Sequence, residues 1–273
     1  DKIIASQGLY SRSDVKYLVK HKRVAVDGET VTSSSRKADP EASVITIDGK
    51  PLIFKKQLYL MLHKPQGYVS ATEDKTQPTV LALVPQAYKG RELFPAGRLD
   101  KDTTGLMILT DDGVLAHNIL SPRKHVQKVY RVELDIPVTK EMQEGFAAGV
   151  ALNDGVCKAA KLAILGEKTA EVTLQEGRYH QIKRMFGCFG AKVVSLHRLA
   201  MGNLYLSVDL PEGACRELTA EELNQCANPD SDFGADFVGT LSRKQVFDLL
   251  KQRNKQTSSI SLKALKLAVF LVG

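Results

Sequence analysis

Apolar residues divide the chain before any motif does. Over the first fifty-odd positions Ile3, Ile4, Leu9, Val15, Leu18 and Val19 recur at roughly helical spacing in two short stretches. Gly8 separates them and Ser11 stands where an N-cap belongs, so the pattern predicts two short helices. RVAVDGETV then alternates apolar and polar residues around Asp27-Gly28, and SVITIDGKPLIF repeats the arrangement around Asp48-Gly49. Asp-Gly between alternating runs is a strong hairpin signal, because the tight turn needs positive φ at both central residues. Residues 1–54 therefore read as a helix-helix-hairpin unit.

The texture changes at Leu58. LYLMLHKPQGYVS, GLMILTDD, VYRVELDIPV, TAEVTLQEG and AKVVSLHRLAM read as strands, separated by loops and at least three helical stretches. Strands dominate while helices intervene, which predicts an α+β domain with a mixed, mostly antiparallel sheet over 57–225. No repeat of solenoid or propeller period is present. NQCANPDSDFGADFVG is turn-rich, and 226–273 is assigned to a C-terminal tail of uncertain structure. Within it SRKQVFDLLKQRNKQ reads as an amphipathic helix, while ISLKALKLAVFLVG, interrupted by Lys263 and Lys266, is too short to span a membrane.

Charge adds a partner to this picture. With 38 Lys and Arg against 31 Asp and Glu, the net charge of +7 favours a polyanion, since each phosphate neutralised releases counterions. Lys2, Arg12, Lys16, Lys20, Lys22 and Arg23 fall on the first two helices, either as a basic face for an RNA backbone or as an ordinary solvated surface; charge alone does not choose. Cys157, Cys188, Cys215 and Cys226 form no CxxC pair or Cys/His cluster, and the opening residues lack the succession of a secretory signal. The expectation is a reduced, cytoplasmic protein without structural zinc.

Three segments carry candidate chemistry. GRLDKDTTGL, residues 97–106, places Asp100 and Asp102 between glycines just before an apolar strand, where a sheet presents groups at its mouth; a plain turn explains the same residues. KVYRV puts Tyr130 in a strand, where a tyrosine is ordinarily core, although its ring also suits base stacking and its phenol proton transfer. In EGRYHQIKRMFGCFG, residues 176–190, Ile182, Met185, Phe186 and Phe189 form an apolar helical face that leaves the basic residues on other faces. A metal-dependent hydrolase built on Asp100, Asp102, Asp111 and Asp112 is the rival class. No His or Glu accompanies these aspartates at ligand spacing, and Asp111-Asp112-Gly113 reads as a hairpin turn.

Taken together, GRLDKDTTGL, the Lys-x-Tyr of KVYRV and the His-Gln-Ile-Lys of the third segment resemble the signature elements of the pseudouridine synthases. Residues 1–54, through DKIIASQGL and SRSDVKYLVKHKRVAVDGETV, resemble the small RNA-binding module named after ribosomal protein S4. The resemblance spans nearly all of 1–225. It implies an enzyme that extrudes a uridine from RNA, breaks its C1′–N1 bond, turns the uracil and joins C1′ to C5, with no metal or organic cofactor. It further implies Asp100 as the reacting carboxylate, adding to the sugar or removing a proton from it. Lys183 becomes its paired cation, Tyr130 the base-stacking and proton-transferring residue, and Arg98 a help in nucleotide extrusion. Ile182 forms a wall of the base pocket, and Arg178 and Lys64 join these as substrate contacts. Arg12, Lys16, Lys20 and Arg23 are assigned to RNA binding by the N-terminal module. HKPQGYVS resembles the family's Asn-Lys-Pro-x-Gly loop with His63 in place of asparagine. TDDGVLAHNILSPRKHVQKVY, through Ser121-Pro122-Arg123, resembles the branch acting on small-subunit ribosomal RNA. The implied partner is 16S ribosomal RNA or a small-subunit assembly intermediate, met by a monomer away from any membrane. A non-catalytic ribosomal RNA-binding assembly factor is the other reading.

Overall fold

The computed structural model of the chain describes residues 1–121 and 126–227. The first two predicted helices are α1 (Lys2–Ala5) and α2 (Arg12–Lys20). Ser11 caps α2 through a capping box, its Oγ accepting from the Asp14 amide while Asp14 accepts from the Ser11 amide. Strands β1 (Val24–Val26), β2 (Glu29–Thr30), β3 (Ile45–Ile47) and β4 (Lys50–Pro51) follow. Asp27 and Gly28 both adopt positive φ, 53° and 83°, as do Asp48 and Gly49, which is the twist that joins two strands through two residues. The two hairpins are not separate: β1 pairs with β3, giving one sheet ordered β2-β1-β3-β4. Val15, Leu18 and Val19 of α2 pack onto Val24, Val26, Ile45 and Ile47 of that sheet as one buried cluster.

The larger unit is built on β5 (Tyr59–Lys64), β6 (Phe94–Pro95), β7 (Thr104–Thr110), α3 (Gly113–Leu120) and β8 (Lys128–Leu134). The chain continues through α4 (Lys140–Ala148), β9 (Ala151–Leu152), β10 (Gly155–Val156), β11 (Lys161–Ile164) and β12 (Thr169–Leu174). It closes with α5 (Gln181–Gly187), β13 (Val193–Met201), β14 (Leu204–Tyr205), β15 (Cys215–Glu217) and α6 (Ala220–Ala227). The main sheet runs β11-β12-β8-β13-β7-β5-β15, with β14 and β6 added on β13 and β7. Its pairings among the described residues are antiparallel except β13 with β7.

Burial explains why β5 and β7 are continuously apolar. Leu60, Leu62, Met107 and Leu109 point into the core beneath α4 and α5, whereas Met61, Leu106 and Ile108 point into a second core under α3 and α6. A strand covered on both faces loses the polar half of its alternation. Cys226 is fully buried in the second core and the Gln225 carbonyl accepts from the Asn203 amide, so α6 packs on the body. The expected tail boundary at 226 thus cuts a helix: the segment read as turn-rich starts at Asn224, and its first four residues form the last turn of α6. Asp112 corrects a second expectation: it is the N-cap of α3, accepting from the amides of Val114 and Leu115, where a hairpin turn was predicted. Asp-Gly serves a cap as well as a turn, and the apolar residues that follow decide for the helix. The predicted C-terminal helix and final apolar stretch lie outside the described residues.

The N-terminal unit is fastened to the body at its linker. Arg91, whose side chain is 6% exposed, pairs with Asp111 at 2.5 Å and donates to the carbonyls of Lys55 and Lys56. Gln7 joins them by accepting from the Lys55 amide.

The parallel seam between β7 and β13 admits one residue type at its tightest point. Gly105 lies opposite Arg198 with φ of 108°, and a Cβ there would meet the Arg198 carbonyl oxygen at 2.3 Å. Substituting Gly105→Ala is expected to cost roughly 3 kcal/mol or more, from strain and a backbone clash together. Urea unfolding checks this; a midpoint equal to the parent's would overturn it.

Candidate active site

Residues 96–103 form a loop between β6 and β7 whose carbonyls have no strand to pair with. One side chain gathers three of them. Lys64, at the end of β5 and fully buried, donates from Nζ to the carbonyls of Thr103 (2.7 Å), Asp100 (3.0 Å), Pro65 (3.1 Å) and Lys101 (3.3 Å). Burial pulls this ammonium down to about 8, partly opposed by the nearby carboxylates of Asp102 and Asp100. The segment after Lys64 braces the loop further. The Gly67 amide donates to the Lys101 carbonyl, and Ser70 Oγ both accepts from the Leu99 amide and donates to the Leu99 carbonyl. The resemblance made Lys64 a substrate contact, but its ammonium faces inward and holds the loop. A buried ammonium needs acceptors, and these carbonyls supply them, that of Lys101 accepting from the Gly67 amide as well.

With its backbone fixed from below, Asp100 turns its side chain outward, 27% exposed, toward α5. Lys183 Nζ lies 3.2 Å from Oδ2, and His180 Nε2 lies 3.4 Å from Oδ1. The same Lys183 donates to both oxygens of Asp102, at 2.6 and 2.8 Å. Burial disfavours the Lys183 charge, yet the hydrogen bonds to Asp102 and Asp100 outweigh it and raise the ammonium above its usual range. Asp102, bonded to Lys183, is held below the usual carboxylate range. One lysine therefore faces two carboxylates, and the pairing expected for Asp100 is shared with its neighbour.

Helix α5 positions this cation by burying its other side. Gln181, Ile182, Met185 and Phe186 are buried, which leaves Lys183 on the face toward the loop. Ile182, 4% exposed, and Tyr130, 8% exposed, belong to the same core cluster as Leu99. Tyr130 sits on β8 opposite Arg198 of β13, and Arg198 is itself buried, donating from Nε to the Leu106 carbonyl. Arg198 Nη2 finds no hydrogen-bond partner among the described residues. Arg98 is exposed beside the loop. Arg178 is committed elsewhere: its guanidinium donates to the carbonyls of Asp154, Gly155 and Val156 and so clamps the β9–β10 hairpin against the start of α5.

The remaining assignments separate in space. Arg12, Lys16 and Lys20 line the exposed side of α2, spaced four residues apart and opposite Val15, Leu18 and Val19. Arg23 forms a two-point ion pair with Asp48. Asp111 and Asp112 sit at the far end of β7 from Asp100 and Asp102, the first bonded to Arg91 and the second capping α3 and accepting from Tyr59. The four aspartates of the metal-hydrolase reading are thus divided between the two ends of one strand.

Comparison with known proteins puts this geometry in a family. The profile of the family described as RNA pseudouridylate synthase matches residues 58–187, and that of the S4 domain matches residues 1–44. An uncharacterized RNA pseudouridine synthase of Bacillus subtilis is 42% identical over 236 residues, 85% of this chain and 99% of its own length. The ribosomal small subunit pseudouridine synthase A of Escherichia coli is 45% identical over 228 residues, covering 82% of this chain and 97% of its own. The chain belongs to the RNA pseudouridylate synthase family. A solved pseudouridylate synthase structure superposes with a TM-score of 0.60 at 39% identity, over 82% of this chain and 97% of that one. No helix among the described residues of the synthase is long and apolar enough to cross a membrane.

Sequence reasoning missed three residues of this site. Ser70 stands in a loop and Arg198 inside a strand pattern, neither with a signal of its own. His180 belongs to the third segment, and its left-handed backbone, φ 47° and ψ 35°, has no sequence signal in a non-glycine residue. Thr104, which leaves the loop into β7, is bonded through Oγ1 to Nδ1 of His197 at 2.7 Å.

Two outcomes follow from these contacts. Lys64→Met should remove the donor that ties the Pro65, Asp100, Lys101 and Thr103 carbonyls together, lowering the maximal rate of pseudouridine formation by ~10²-fold while RNA affinity stays within a few-fold. Single-turnover kinetics measures both, and a folded variant with parental rate would refute the cage. The second concerns His197, whose imidazole is held at about 4 by burial, with His63 and Arg131 adding to the effect. Unfolded, it takes its proton near the ordinary value of about 6.5, so stability falls as pH drops through that value toward 4, by roughly 2–3 kcal/mol. Melting curves of His197→Gln against the parent should show this share of the acid loss removed; parallel pH profiles would contradict it.

Proposed function

We propose that this synthase converts one uridine of 16S ribosomal RNA to pseudouridine, with Asp100 as the reacting carboxylate. The observation that carries the reading is a partly exposed carboxylate fixed between two cationic or hydrogen-bonding side chains, Lys183 and His180, beside a buried tyrosine and isoleucine. Lys183 and His180 hold the carboxylate in one orientation, which serves it equally as a nucleophile or as a base. The small-subunit target rests on the relatives named for it, such as the Escherichia coli enzyme. The protein acts as a cytoplasmic monomer on free 16S RNA or an assembly intermediate.

The chemistry is an isomerisation and balances within the substrate. The C1′–N1 bond breaks, the uracil turns while held, and C1′ joins C5; the proton on C5 leaves and N1 gains one. Ile182 and Tyr130 wall the base, whose extrusion costs a few kcal/mol that stacking and phosphate contacts offset. Arg98, exposed beside the loop, assists the extrusion, and the phenol of Tyr130 takes part in moving the C5 proton. Arg12, Lys16 and Lys20 on α2 meet the RNA backbone, which places affinity in one part of the molecule and reaction in another.

Asp100→Asn is expected to abolish pseudouridine formation on 16S transcripts while RNA affinity stays within a few-fold, because many phosphate contacts bind and one carboxylate reacts. Mapping the product to a nucleotide in the parent fixes the target at the same time. Measurable turnover by the variant would remove Asp100 from this role, and absence of product with the parent would remove the 16S assignment.

A further inference from the structure

One aromatic ring beside Asp100 is used by nothing so far described. Tyr179 is 71% exposed, and its ring lies flat on the imidazole of His180, with centroids 3.8 Å apart and planes inclined by 19°. His180 is the residue whose Nε2 stands 3.4 Å from Asp100 Oδ1. Carboxylate, imidazole and phenol therefore follow one another outward, and the outermost face, away from His180, is open to solvent. Scattered exposed tyrosines are common on protein surfaces and need no explanation. This one differs in being held.

The holding is visible in the backbone on either side. Arg184 Nη1 donates to the Tyr179 carbonyl at 3.2 Å and the same guanidinium pairs with Asp154. Gln181 Oε1 accepts from the Arg178 amide while Gln181 Nε2 donates to Glu176. His180 is kept in the left-handed region, φ 47° and ψ 35°, a conformation that costs a non-glycine residue energy and persists only where its surroundings impose it. A fixed loop has already lost the entropy that a mobile aromatic loses on meeting a ligand. Tyr179's sequence neighbours Arg178, Lys183 and Arg184 are each paired with carboxylates, with Glu176, with Asp100 and Asp102, and with Asp154 respectively, and the ring face itself carries no charge. A flat, preset, uncharged face is what an unstacked nucleobase of a single strand binds.

We propose that Tyr179, backed by His180, is the stacking platform for a nucleobase adjoining the target uridine. Turning the uridine out of its stack leaves its neighbour with an uncovered face, and the phenol ring one step outward from Asp100 covers it. This rests on the assignment of Asp100 as the reacting carboxylate. Because every base has a π-face, the platform tolerates any neighbour, and it acts on binding because the ring touches no reacting atom.

The test uses the full chain and the 16S transcript on which the parent forms pseudouridine. Tyr179→Phe keeps the ring and should bind within about twofold of the parent; Tyr179→Ala should raise the RNA concentration for half-maximal single-turnover rate by about tenfold, with the saturating rate within a few-fold. Transcripts carrying 2-aminopurine at one or other neighbour of the mapped uridine should be quenched by the parent and by Tyr179→Phe, and less so by Tyr179→Ala. Melting curves of the variants, whose altered ring is mostly solvent-exposed, identify any loss of fold. Equal half-saturation for alanine and parent, or a loss confined to the saturating rate, overturns the platform. A parent that quenches neither neighbour while making pseudouridine overturns it too, and a parent that makes none overturns the 16S assignment instead.

Discussion

The site depends on an ammonium group that never meets solvent. Lys64 gathers the carbonyls of Pro65, Asp100, Lys101 and Thr103 around one nitrogen. Removing a charge from water is costly, and burial accordingly weakens the hold of Lys64 on its proton. The carbonyls offset that cost by taking the place of the water that the ammonium has lost. The result is a loop whose backbone is settled from inside, so that the Asp100 and Asp102 side chains are free to face α5.

The sheet supplies the other half of the geometry. β7 carries the loop into the core, and β13 returns beside it in parallel, with His197 level with Thr104 and Arg198 level with Gly105. Helix α5 immediately precedes β13, so this pairing sets Lys183 and His180 over the loop. Two cores, one on each face, keep β5 and β7 rigid where they bear the site.

Much of this was legible in the residues. Alternation around Asp27-Gly28 and Asp48-Gly49 predicted the hairpins, and the apolar face of Ile182, Met185 and Phe186 predicted a helix that turns Lys183 outward. What stayed hidden depends on long-range neighbours. Nothing local tells that β1 and β3 pair into one sheet or that Cys226 is buried in the second core. The resemblance implied Lys64 as a substrate contact, and its full burial has no signal in a residue type that is seldom buried. The likeness of Ser121-Pro122-Arg123 to the small-subunit branch falls largely outside the described residues. Among the candidate substrate contacts, Ile182 and Tyr130 share a core, Arg98 lies exposed at the loop, and Arg178 acts as a clamp on a hairpin.

The parallel pairing of β7 with β13 also orders the site in time. Lys183 bonds to Asp102 across 81 residues of chain, and the strand that seats it ends only at Met201. At a synthesis rate of roughly 5–20 residues per second, the carboxylates exist for some seconds before their cation is made. Contacts this distant in sequence form late, since the intervening chain must first be closed into a loop. In a nascent or truncated chain the two carboxylates thus stand without their ammonium partner, and the cluster is complete only with the closing strand of the sheet.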